Sequence, residues 1–438
     1  MRAVRRGART VALGEYLHGA LWVLPGAAAA LALVAGGVLS RVRIPPDSAL
    51  QPLVFAGTAD DARQALITIA STIVTVIALV LGLTIVTLQL ASTQFSPRLL
   101  RNFLRDRPNQ VVLATFVATF AYSTAGLYTV RAEGGADFPR LAVSGAVALI
   151  FLSLGMLVFF VHHIVHSIKI DTVMIRVAEA ADRAVRAYTR EAPGTDRSGP
   201  APPPDALVLA APRSGYVQTV HPGPLLESAA SQDAVVVIAA RVGDHLVAGT
   251  APLALAWSRR GGPPEDAAAL ARALHHAVQI GPERTLRQDV MFGLRQLVDI
   301  ALRALSPAIN DPYTGVQVLD RLSVLIGALG GRALGDDALT DGAGETRVVV
   351  AGPAFAEYLD LACGQIRRYG AGEPAVCLAL LRLLTTAAAS VTDERRRAAV
   401  GDQARLVLAD AESRIARPAD RLPVREAAAR LMSPRLAA

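Results

Sequence analysis

The stretch 65-ALITIASTIVTVIALVLGLTIVTLQL-90 decides how this chain is read. It holds no Asp, Glu, Lys or Arg, and roughly 20 apolar residues suffice to cross the hydrocarbon core of a bilayer. The spacing predicts a membrane-crossing helix. Thr68, Thr75, Gly82 and Gln89 recur at heptad intervals along it, with Ser71 on the same side. In lipid, such a small and polar stripe serves either close helix packing or the lining of a polar path. An intramembrane carboxylate would favour transport, and this stretch contains none.

Three more apolar segments flank it within residues 1–170: Tyr16–Ser40, Val111–Val130 and Leu141–Ile164. Together they predict a four-helix transmembrane region. Basic residues cluster in "MRAVRRGAR", at Arg98, Arg101, Arg105 and Arg107, and at Lys169 and Arg176. The positive-inside rule then places both termini in the cytoplasm. The first segment also resembles a signal peptide, but three spans follow it, which favours a retained helix. "TQFSPRLLRNFLRDRP", residues 93–108, reads as an interfacial amphipathic helix. Its Arg98, Arg101 and Arg105 are candidates for anionic lipid headgroups, or simple topology anchors. His162 and His166 share a helix face at i, i+4 but lack an intervening Glu or an evident third ligand, so no metal site is expected.

Composition agrees with a membrane protein. Of 438 residues 52% are hydrophobic and 18% charged, against about 25% charged in soluble chains. The net charge is +7, nearly all of it arginine, with Lys169 the single lysine. No basic run is interleaved with stacking aromatics, which disfavours nucleic acid as a partner. The two cysteines, Cys363 and Cys377, sit in apolar helical stretches outside any C-x-x-C pair. Two buried thiols are expected, with no disulfide framework or zinc.

The second half changes character. Residues 171–205 form a connecting helix and the Pro/Gly linker "EAPGTDRSGPAPPP". Residues 206–260 carry short β-like runs, among them "GYVQTV" and "AVVVIAA", punctuated by "RSG", "VGD" and "AGT". Their pattern is similar to small biotinyl/lipoyl-type barrels. The segment lacks the acceptor lysine of those carriers, which leaves a small β-barrel-like module for contact or assembly. Residues 261–438 read as a helical cytoplasmic domain with one strand near 346–352. The fold expected is thus mainly α, with a four-helix transmembrane region followed by a cytoplasmic α+β region. Thr285 and Gln288 suggest a capping box. Arg295, Asp299 and Arg303 make a charged ladder, either solvated or at a subunit contact.

"RALSPAINDPYTG", Arg303–Gly315, stands apart from the Ala/Leu/Arg background. Ser306-Pro307 and Asp311-Pro312 both look like an N-cap followed by proline at the first helical position. Asn310 and Asp311 suit turn backbone. A tight helix–corner–helix is expected, with Tyr313 and Thr314 at the corner, placed at a subunit or ligand interface.

"RTLRQDVMFGLRQLVDIALRALSPAINDPYTG" and "STQFSPRLLRNFLRDRPNQVVLATFVATFAYS" resemble the two signature regions of a bacterial family of predicted membrane proteins, domain of unknown function 2254. The resemblance runs from the first apolar segment to about residue 430 and implies an inner-membrane protein with a cytoplasmic domain. It supplies no reaction and no catalytic residues. No P-loop, dinucleotide fingerprint, nucleophile elbow or metal-ligand set appears, so neither an enzyme nor a cofactor is expected. Two functions remain: an oligomeric channel or transport-related protein gated or assembled by its cytoplasmic domain, and a membrane-anchored scaffold or regulatory protein.

Overall fold

The computed structural model describes residues 22–42, 54–94, 107–130, 138–167, 169–191 and 194–433. They divide into two compact units, residues 1–172 and 173–438.

The first unit contains α1 (Val23–Leu39), α2 (Ala59–Gln94), α3 (Arg107–Thr129) and α4 (Arg140–Ser167). α3 packs against each of the other three. Leu66, Ile73, Phe116, Val143 and Phe160 form the centre of their shared core. A hydroxyl pair, Thr119 Oγ1 to Ser153 Oγ at 2.9 Å, joins α3 to α4 inside it. Such a bond satisfies two polar groups that would be costly alone in an apolar interior. α2, α3 and α4 are long and apolar enough to cross a membrane. They are the three such helices among the described residues; the first expected segment, Tyr16–Ser40, begins outside those residues. α1 is apolar and is described over 17 residues, Val23–Leu39.

The second unit takes in α5 (Ile170–Tyr188) from Val173 onward, with Met174, Val177, Ala181, Ala184 and Val185 as its buried face. Next come β1 (Asp196–Arg197), β2 (Leu207–Ala210), β3 (Gly215–Val220), α6 (Gly223–Ser231), β4 (Ala234–Ile238), β5 (His245–Leu246) and β6 (Pro252–Ser258). α7 (Ala267–Ala277), β7 (Val278–Gly281), α8 (Val290–Ala304) and α9 (Pro312–Gly330) follow. After them stand β8 (Leu334–Gly335), β9 (Asp337–Thr340), β10 (Thr346–Val350), α10 (Phe355–Gly370), α11 (Pro374–Ser390), α12 (Glu394–Arg414) and α13 (Pro418–Met432).

The β-rich region is not a closed barrel. Among the described residues, five strands lie in the open order β2-β6-β4-β10-β9, three in β5-β3-β7, and β1 pairs with β8. β4 and β10 are parallel, with Val236 opposite Val348, while β6 flanks β4 antiparallel. The physical reason is the sequence of β4, "AVVVI", which is apolar on both faces and sits between two neighbours as a central strand. The sheet therefore draws strands from both sides of residue 260.

β7 also departs from expectation. The helical run through "ALHHAVQI" ends at Ala277, and Val278–Gly281 pairs with β3 instead. Val278 and Ile280 alternate inward, the period of a strand rather than a helix. α8 and α9 bury the apolar faces expected of them, including Leu294, Leu297, Val298, Leu319, Leu322 and Ile326. They pack with α10, α11 and α12 into a helical layer.

Candidate functional site

Three places carry concentrated polar chemistry: the α2 stripe, the α8–α9 corner and a cleft in the second unit.

On α2, the residues packed inward are Ala62, Leu66, Ile69, Ile73 and Val80. Thr68, Ser71, Thr75, Gly82 and Gln89 are all exposed, so the stripe faces away from the helices of its own chain. A Cβ at Gly82 would meet nothing within 4 Å. Thr68 Oγ1 donates to the Gln64 carbonyl at 2.8 Å, and the Ser71 and Thr75 hydroxyls likewise donate to carbonyls one turn back. These hydroxyls tolerate an apolar surrounding, because each has a partner. The Gln89 amide has more donors and acceptors than such local bonding can satisfy. Arg98, Arg101 and Arg105 lie outside the described residues.

At the corner, Asp311 caps α9. Its carboxylate accepts the Thr314 amide at 3.1 Å and the Thr314 hydroxyl at 2.5 Å. These bonds hold the Asp311 carboxyl below the usual carboxylate range. Asn310 takes a left-handed backbone, φ +50°, as the turn requires. The other expected helix start is corrected: Ser306-Pro307 opens a turn, not a helix. The Ser306 hydroxyl donates to the Arg303 carbonyl at 2.7 Å, and the Ser306 carbonyl accepts from Asn310 at 2.9 Å. Thr314 is buried, whereas Tyr313 is 71% exposed beside exposed Ile309. On α8, Arg295 pairs with Asp299 at 2.8 Å and donates to Gln365 of α10 at 2.9 Å, while Asp299 and Arg303 are engaged in further contacts. The ladder is thus in part a tie between helices.

The start of α8 also corrects an expectation. Thr285 and Gln288 form no capping box. Asp289 is the N-cap and accepts the Phe292 amide at 2.8 Å. Gln288 instead binds both backbone polar groups of Val220 on β3. Asp289 is buried, 3% exposed, in a bidentate pair with Arg284 at 2.8 and 2.9 Å. Burial pushes its carboxyl upward, against the pull of Arg284. Gly243 turns with φ +98° over this pair, and a Cβ there would lie 2.5 Å from Asp289 Oδ2.

Asp289 lines a cleft of about 230 Å³. Arg190, Arg197 and Arg241 line it together with Asp337 and Tyr358. Arg241 is closely paired with Glu357 at 2.6 Å. Arg190 and Arg197 share one oxygen of Asp337 at 3.5 and 3.4 Å. The cleft was not foreseen because its residues come from distant segments: the end of α5, β1, the β8–β9 region and the turn before α10. Cys363 and Cys377 are both buried and free, as expected, and burial pushes Cys377 up to about 11.

The family described as "Predicted membrane protein (DUF2254)" matches residues 18–386. The chain is also similar to proteins described as uncharacterized in Mycobacterium tuberculosis (strain ATCC 25618 / H37Rv) and Mycobacterium bovis (strain ATCC BAA-935 / AF2122/97). Each is 47% identical over 427 residues, covering 96% of this chain and 82% of the relative. No solved structure matches.

Proposed function

The chain belongs to the DUF2254 family of predicted membrane proteins, and on that premise we propose that it acts as a homo-oligomeric channel or transport-related protein of the bacterial inner membrane. In this reading four segments span the bilayer, both termini are cytoplasmic and the second unit serves gating or assembly, with no catalysis. The observation that carries the reading is the orientation of the α2 stripe. Thr68, Thr75 and Gln89 face away from their own bundle, a placement suited to a second copy or a water-filled path along this face. The test is ion flux in vesicles reconstituted with the full chain. Flux that falls in Thr75→Leu and Gln89→Leu supports a path along α2. Absent flux, or flux indifferent to both substitutions, defeats it.

A second reading has its own support. Tyr313 and Ile309 are both exposed at a corner where Asp311, Thr314 and Ser306 bond within the chain. Aromatic and aliphatic side chains of this kind anchor interfaces, which suits a membrane-anchored scaffold or regulatory protein. A photo-crosslinking residue at Tyr313 that links to a second protein would favour this role; one that yields no adduct in cells would remove its support.

A further inference from the structure

We propose that the cleft in the second unit is a binding site for a small ligand bearing a phosphate group, held between Arg190 and Arg197. The proposal is independent of whether the membrane region conducts.

The argument begins at β1. Asp196 and Arg197 are successive residues of one strand, so their side chains leave it on opposite sides. Asp196 is fixed on one side by Arg396, which is 1% exposed and donates to it at 2.6 and 3.0 Å. The same guanidinium holds the carbonyls of Gly330 and Arg332, each at 2.9 Å. This clamp sets the backbone of β1, and Arg197 is thereby aimed into the cleft. Gly335, opposite Arg197 on β8, has φ +80°, and a Cβ there would collide with the Arg197 carbonyl. The close approach of the two strands depends on glycine at that position.

The charges are deliberately uneven. Arg241 and Arg284 each have a close carboxylate partner, Glu357 and Asp289. Arg190 and Arg197 have between them one oxygen of Asp337, at distances longer than a good charge-assisted bond of about 2.7–2.9 Å. The Arg197 side chain keeps 34% of its surface exposed and lines the cleft. Two guanidinium groups sharing one carboxylate leave an excess positive charge on a concave surface. Their planar forks match the oxygens of a phosphate. The volume of about 230 Å³ admits a phosphate with a small organic substituent.

The experiment uses the full chain in detergent and follows its thermal midpoint during titration with sodium phosphate, against sodium chloride at matched ionic strength. Phosphate is expected to raise the midpoint saturably. Arg197→Gln and Arg190→Gln should each weaken half-saturation by about tenfold. Asp337→Asn, which removes the competing carboxylate, should tighten it by about fivefold. Arg382→Gln, outside the cleft lining and paired with Asp320, should leave it unchanged. The site is refuted if phosphate does no more than chloride, or if Asp337→Asn fails to tighten binding. Because Asp337→Asn predicts a gain, misfolding of an arginine variant does not rescue a wrong proposal.

Discussion

Arg396 is a long cation with almost no access to water, and it survives because all its bonds are made inside the protein. Replacing it by Leu would strip the Asp196 carboxylate of its cation and leave the Gly330 and Arg332 carbonyls without that donor, while Asp196 keeps the Phe355 amide. Asp196 is itself partly reached by solvent, so the expected loss is about 2–3 kcal/mol, below the range for a fully buried pair. Thermal unfolding of Arg396→Leu against the parent checks this. Asp311→Ala should cost about 1 kcal/mol, the usual worth of an N-cap. Asp311 also predicts a pH response. Its carboxyl is held low in the folded chain by Thr314, and those of Asp233 and Asp341 are held low by Arg347. Depressed acids stabilise the fold above the ordinary carboxylate range of about 4 and lose that contribution as pH falls through their folded values. The melting midpoint should therefore drop below about pH 4, and Asp311→Asn should show a shallower drop.

Among elements, α2 separates folding from assembly most cleanly. Its inner face of Leu66, Ile69 and Ile73 packs on its own bundle, while a side chain at Gly82 has open space. Gly82→Leu is expected to change the stability of one chain by less than about 0.5 kcal/mol. The same change should disperse oligomers or abolish flux if copies meet along the stripe; cross-linking and flux assays on one preparation separate the two effects. Gly243 makes the opposite case. Its left-handed backbone and the crowding against Asp289 predict that Gly243→Ala destabilises the second unit by more than about 1 kcal/mol, measurable by thermal melting.

Over the whole molecule, legibility followed the range of the interactions. The long apolar runs and the faces of α8 and α9 were plain in the sequence, because a helix declares its period locally. The Asp311-Pro312 start was equally legible, being complete within four residues. β7 was missed because four residues of strand follow a helix without punctuation. The joining of β4 to β10 and the arginine cleft were invisible because their partners stand far apart along the chain. The division into units carries its own prediction. α5 contributes Met174, Val177 and Ala181 to the second unit, and Ala181 sits against Gly293 of α8. A fragment of residues 170–438 should fold with a cooperative melt, whereas residues 191–438 should expose that face and aggregate; light scattering and circular dichroism distinguish them.

The parallel pairing of β4 with β10 also sets a timetable for synthesis. Residues 234–238 leave the ribosome well before residues 346–350 exist. Until then an apolar strand, "AVVVI", has one backbone edge without its eventual neighbour. Such edges recruit strands from other chains. The interval between the two strands is thus the period in which the nascent protein is most exposed to aggregation. Slowing translation between residues 238 and 346 should lengthen that risk, and slowing it after residue 350 should not.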